Sequence, residues 1–130
     1  MKKLIVFFCL FLFVNPIVAQ NKTAATDESF NSFLKKFTSD KNFHLSRINF
    51  PLTVKLNNDD FELIDYIIIK SEYIPIQLND KGSGYQHQNN PKKNTYIIKR
   101  RGIDNGIFVD YIFTKRKGLW YLKTWIDEST

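Results

Sequence analysis

The sequence predicts an α+β domain in which amino-terminal helices pack on a curved antiparallel sheet. Three observations predict it. Phe30, Phe33, Leu34 and Phe37 recur at i, i+3, i+4 and i+7, the stripe of an amphipathic helix. From Phe61 onward, β-branched and aromatic residues dominate. Three runs, Thr95 to Arg101, Ile107 to Lys115 and Leu119 to Ile126, are separated by Asp104-Asn105-Gly106 and Lys117-Gly118. Those are hairpin turns, so the runs form an antiparallel meander. Helices followed by a block of such strands is the α+β order.

The chain starts with an address. Met1-Lys2-Lys3 is a short positive start, and Leu4 to Val14 is an apolar run too short to span a bilayer in the ordinary way. Asn15-Pro16 ends the run, and Ala19 is a small residue suited to the last position before a cut. Residues 1–19 therefore read as a secretory signal peptide, with an uncleaved anchor as the alternative. Cys9 sits inside the apolar run, behind Phe7-Phe8, so it lacks the setting of a lipoprotein cysteine. We expect an exported protein, periplasmic or secreted, that is not lipid-anchored and meets a membrane only through the signal peptide. A single Cys excludes a disulfide framework and a thiolate zinc site. At 130 residues, 43% hydrophobic and 25% charged, the rest is one globular domain, and a multidomain enzyme is excluded.

Residues 20–29 read as a flexible lead-in, and residues 30–127 as a single domain. Asn21-Lys22-Thr23 matches a glycosylation sequon by chance. Thr26 or Asp27 is positioned to cap a helix over Glu28 to Ser39, with Lys35 and Lys36 on its wet side. Asp40 caps a second, shorter helical piece through Phe43 and Leu45. Phe50-Pro51 forces an extended chain, Thr53 to Leu56 starts a strand, and Asn57-Asn58-Asp59-Asp60 is a turn. Phe61 to Lys70 is the next strand, and Tyr73 to Leu78 a further extended piece interrupted by Pro75. Asn79 to Asn94, rich in amides and glycine, reads as a long loop. In the last strand Trp120, Leu122, Thr124 and Ile126 alternate to one side, with Tyr121, Lys123 and Trp125 on the other.

Signals for chemistry are sparse. His44 and His87 show no metal spacing, Gly82-Ser83-Gly84 lacks the rest of a phosphate loop, and no nucleophile elbow is present. We therefore expect no catalytic residue, no metal and no cofactor. Lys99-Arg100-Arg101 and Lys115-Arg116-Lys117 are candidate contacts to an anionic glycan or membrane surface. The two runs precede turns at opposite ends of the meander, so they do not form one compact patch. Tyr96, Tyr111 and Tyr121 could stack on bases, but an exported chain does not meet cytoplasmic nucleic acid, and no nucleic-acid partner is expected.

The pattern Phe30-x2-Phe33-x3-Phe37-x2-Asp40-x2-Phe43-His44-x2-Arg47-Ile48-x-Phe50-Pro51-Leu52 resembles the opening motif of a family of small exported bacterial proteins, domain of unknown function 4348. Tyr111-Ile112-Phe113 and Gly118-x-Trp120-Tyr121-Leu122 are similar to that family's last two strands, and the latter to nuclear-transport-factor-like proteins with a cystatin-like cone. The resemblance covers Phe30 to Ile126, in spacing alone from Asn57 to Asn94. It implies a long helix wrapped by a curved sheet, with a pocket at the open end of the cone, and no assigned activity. Family members tend to carry Gln where this chain has His44, and many are lipoproteins. Asp40, His44 and Arg47 share a face if their turn is helical, so they are tentative ligand-binding residues; Asp40 could also pair with Arg47, or Arg47 could fix the loop after the helix. The expected function is a noncatalytic module that binds an unknown small ligand or a protein. The alternatives are a small cone-fold enzyme using His44 with Asp40, and a binder of anionic glycan or membrane surface.

Overall fold

The computed structural model describes residues 26–78 and 84–130. The predicted signal peptide, the sequon and residues 79–83 of the predicted long loop, with Gly82 and Ser83, lie outside the described residues. Among the described residues no helix is long and apolar enough to cross a membrane.

Helix α1 spans Phe30–Ser39 and α2 spans Lys41–Ser46. The cap of α1 is Ser29, whose Oγ accepts from the Ser32 amide at 3.2 Å, rather than Thr26 or Asp27. The reason lies with its neighbours: Asp27 and Glu28 are held by the sheet. Glu28 N–H donates to the Gly118 carbonyl at 2.9 Å, and Asp27 accepts from Lys115. Asp27 and Glu28 of the predicted lead-in are thus tied to the sheet. Asp40 caps α2 as expected, accepting from the Phe43 amide at 3.0 Å.

Six strands follow: β1 Leu52–Asn57, β2 Leu63–Ile68, β3 Tyr85–Pro91, β4 Thr95–Gly102, β5 Phe108–Arg116 and β6 Leu119–Asp127. They form one sheet in the order β2-β1-β6-β5-β4-β3. The meander β4-β5-β6 is antiparallel, as the turns require. β1 joins β6 in parallel, Lys55 beside Ile126 and Leu56 beside Asp127, so the sheet is mixed at that one junction. Just upstream, Ile48 makes a parallel bridge to Leu122.

Two expectations are corrected. Tyr85–Pro91, read as loop, is an edge strand paired antiparallel to β4. Its amides have poor β propensity, but an edge strand needs a partner's ladder and tolerates polar side chains on an open edge. Tyr73 to Leu78 is not a strand; it follows a short 3₁₀ turn at Lys70–Glu72 and buries Tyr73 and Leu78 in the core.

The core is aromatic. Phe33 and Phe113 are fully buried, with ring centroids 5.7 Å apart at 71°. Phe30 stacks on Tyr96 at 3.5 Å, and Phe37 meets Phe113 edge-on at 5.6 Å. The register gives a third correction, in β6. Phe113 lies opposite Leu122 but Ile112 opposite Thr124, so Lys123 is an extra residue, a β-bulge. The bulge flips the alternation beyond it. Trp125 joins Trp120 and Leu122 on the inner face, opposite Tyr111, while Thr124 and Ile126 turn to the outer face.

Candidate functional site

Of the residues picked from sequence, Asp40 and His44 line one cavity, of about 220 Å³, between the end of α1 and the Pro75-Ile76-Gln77 segment. His44 is buried there, its ring stacked at 3.8 Å on Phe37. Nδ1 lies 2.8 Å from the Phe37 carbonyl, and Nε2 lies 2.7 Å from the Tyr73 hydroxyl. A carbonyl can only accept, so Nδ1 carries the proton and neutral Nε2 accepts from the Tyr73 O–H. Burial lowers the proton affinity of His44, against a smaller opposing effect of its bond to Phe37. Burial likewise raises the pKa of Tyr73, keeping it protonated. The pair is thus neutral and mutually satisfied, and no carboxylate orients the imidazole. Asp40 spends one oxygen on capping α2.

Arg47 is not part of this cavity. Its guanidinium donates to both oxygens of Glu28, at 2.8 and 3.1 Å, and to the Trp120 carbonyl at 3.0 Å. Glu28 Oε2 in turn accepts from the Trp120 amide at 3.0 Å. The same guanidinium lies 4.4 Å from the Phe43 ring. Asp40 is not its partner; Arg47 fixes the chain after α2 against β6.

The pleat divides the basic runs. Arg100 turns to the inner face with Ile98, over Tyr111 and Tyr85, and donates to the Gln77 carbonyl. Arg101 turns outward, pairing with Asp110 at 2.6 Å over the Phe108 ring. Lys99 shares that outer face, opposite Asp110. Lys115 is inward, bonded to Asp27 beside Trp120. Lys117 takes the positive-φ turn position. Arg116 points outward over Tyr121, 4.6 Å from its ring.

A larger outer-face cavity surrounds Arg116, which the sequence marked only as part of a basic run. It is about 390 Å³, lined by Asn49, Thr95, Thr114, Arg116, Tyr121 and Lys123 with Leu122. A neighbour of about 260 Å³ shares Asn49, Arg116 and Tyr121 and adds Lys117. Three cations line the pair of cavities and no carboxylate does. Tyr121 and Leu122 were visible in the closing motif, but the threonines come from two other strands and only the register brings them together. Among the described residues no cluster of His, Cys, Asp or Glu could hold a metal.

A family model described only as "-like" matches residues 28–127. No curated protein matches the chain. Solved structures do. An NTF2-like protein from Bacteroides fragilis superposes with a TM-score of 0.59 at 21% identity; the match covers 80% of this chain and 48% of that one, so this chain spans about half its length. A cystatin-like protein from Bacteroides caccae gives 0.57 at 23% identity, covering 79% and 78%. A protein from Bacteroides uniformis gives 0.56 at 21%, covering 80% and 79%. These likenesses show the fold, an NTF2-like and cystatin-like α+β cone.

Proposed function

The chain belongs to the uncharacterised family whose model spans residues 28–127, and from that premise we propose that it is an exported, noncatalytic module that binds a small acidic ligand, a uronic-acid type of saccharide, on the outer face of its sheet. The carrying observation is the cavity around Arg116. A carboxylate fits the planar guanidinium fork, with Lys117 and Lys123 adding charge. Thr95 and Thr114 offer hydroxyls to sugar hydroxyls, Asn49 steadies the Arg116 guanidinium by accepting from it through its amide oxygen, and the Tyr121 ring offers a face to the apolar side of a pyranose. Export, read from residues 1–19, supports a ligand met outside the cytoplasm. The opening Phe-rich motif supports placement in domain of unknown function 4348.

The enzyme alternative requires His44 to exchange protons beside a carboxylate. Both its ring nitrogens are engaged by neutral partners, and burial disfavours its protonation. That geometry favours binding over catalysis.

The test is calorimetric titration with glucuronate oligosaccharides and their neutral glucose counterparts. The acidic series should bind and the neutral series should not. Affinity should fall with salt, and Arg116→Gln should weaken it by roughly tenfold or more, the value of a charge-assisted bond. Equal binding of both series, no binding of either, or indifference to Arg116→Gln would sink the proposal.

A further inference from the structure

The two cavities around Arg116 form one groove. They share Asn49, Arg116 and Tyr121; Thr95, Thr114 and Lys123 line only the larger, and Lys117 lines only the smaller. The register orders these residues. Thr95 lies opposite Thr114 and Thr114 opposite Tyr121, a polar row across β4, β5 and β6. Arg116 stands on the same face of β5, about 7 Å further along it than Thr114. Lys117 follows in the turn, where φ is +49°. The row and Lys117 therefore lie on opposite sides of Arg116, further apart than one pyranose ring can bridge. The smaller cavity, about 260 Å³, falls below the ~300 Å³ at which ordinary ligand clefts begin. It is an extension of the larger one, not a second site.

Charge runs the length of this groove. Lys123 lines the same cavity as Arg116, and Lys117 stands beyond it. Among the described residues, none of the ion pairs involves these three cations. A single sugar acid carries one carboxylate, and the guanidinium fork of Arg116 takes it. Lys117 meets an anion only if the ligand continues past Arg116 and carries a second acid there. We infer that the groove takes two consecutive acidic residues of a polyuronate, the carboxylate of one on Arg116 and that of the next on Lys117. This rests on the acidic-ligand reading and deepens it: the ligand is a stretch of acidic polysaccharide, not a free sugar acid or a chain with isolated acids. The first residue lies in the larger cavity, its hydroxyls against Thr95 and Thr114. The second leans on the smaller cavity by its acidic edge, because that cavity is too shallow to enclose a ring.

Titration calorimetry of the purified protein with three probes tests it: free glucuronate, a disaccharide of two glucuronates, and a disaccharide of glucuronate and glucose. The diuronide should bind about fivefold or more tighter than either of the others, the scale of an exposed charge pair and beyond the statistical gain of carrying two acids. Lys117→Gln changes an exposed side chain, so the fold survives, and it should remove that preference. Lys123→Gln, in the larger cavity, should weaken all three probes by one common factor and keep the preference. A diuronide that binds no tighter than glucuronate, equal binding of the two disaccharides, or a preference that survives Lys117→Gln overturns the two-residue inference and leaves the acidic-ligand reading standing. A preference lost equally in Lys117→Gln and Lys123→Gln overturns it too, because diffuse positive charge would then account for the gain. Binding of none of the three probes refutes both.

Discussion

Arg47→Ala should be among the most destabilising changes outside the aromatic core, although Arg47 stands in the sequence as a candidate ligand contact. The side chains of Arg47 and Glu28 are only 13% and 15% exposed. The substitution removes two charge-assisted bonds to Glu28 and one to the Trp120 carbonyl. It leaves the Glu28 carboxylate sheltered, with the Trp120 amide as its remaining hydrogen bond. Breaking a charged hydrogen bond costs about 1.5–3 kcal/mol, and the three are not additive because they share one group. Discounting for residual exposure, the loss is about 2–4 kcal/mol, or roughly 10 °C in Tm for a domain of this size. Urea unfolding followed by tryptophan fluorescence is the assay, since Trp120 sits at the tie. Arg47→Lys should recover only part of the loss, because an ammonium cannot bridge both oxygens and the carbonyl. A cycle with Glu28→Ala should give a coupling of about 1.5 kcal/mol or more. A loss for Arg47→Ala below about 0.5 kcal/mol, accompanied by loss of acidic-ligand binding, would refute this reasoning and return Arg47 to the binding surface.

The His44–Tyr73 pair predicts a pH effect. The folded chain resists protonating His44, while the unfolded chain protonates near 6.5. Stability is therefore full above that pH and is lost as pH falls below it, toward the lowered folded value, a trend that denaturation at several pH values checks. His44→Gln should abolish this dependence and keep most of the stability, since an amide can donate to the Phe37 carbonyl and accept from Tyr73. His44→Leu, which strands both partners, should cost about 2–4 kcal/mol in the same assay. Phe33→Ala, at a fully buried site, should cost about 3–5 kcal/mol by urea unfolding. Gly118→Ala should cost about 1–2 kcal/mol, because φ is +79° and a Cβ would lie 2.9 Å from the Thr26 carbonyl oxygen; its Tm is the readout.

What could be read from the sequence was what local period encodes. The Phe30, Phe33 and Phe37 stripe is a short-range pattern, and the turns at Asn105-Gly106 and Lys117-Gly118 punctuate the meander. β3 was hidden because Gln86, His87, Gln88, Asn89 and Asn90 are held in a strand by β4, not by their own propensity. The inward turn of Trp125 was hidden because it depends on the bulge at Lys123, which alternation cannot announce. Tyr73, the partner of His44, lies 29 residues away in sequence with no spacing signal to link the two. The cavity around Arg116 draws residues from β4, β5 and β6 and from the loop before β1. No single segment carries it.

The basic runs show how one geometric fact sorts residues that look equivalent in sequence. Lys115 and Arg116 are neighbours, yet a pleated strand sends them to opposite faces. Lys115 falls on the inner face, where it meets Asp27 and the Trp120 ring and helps fasten the amino-terminal segment. Arg116 falls on the outer face, where the aromatic below it orients the guanidinium and the hydroxyl-bearing strands flank it. Arg100 and Arg101 divide in the same way, one toward the Gln77 carbonyl and one onto Asp110. Half of the six cations in these runs, Arg100, Arg101 and Lys115, are therefore committed to holding the fold. A cation can serve a ligand only where it faces outward with no carboxylate beside it, and in the two basic runs Arg116 is the residue that combines both with a cavity large enough for a sugar ring.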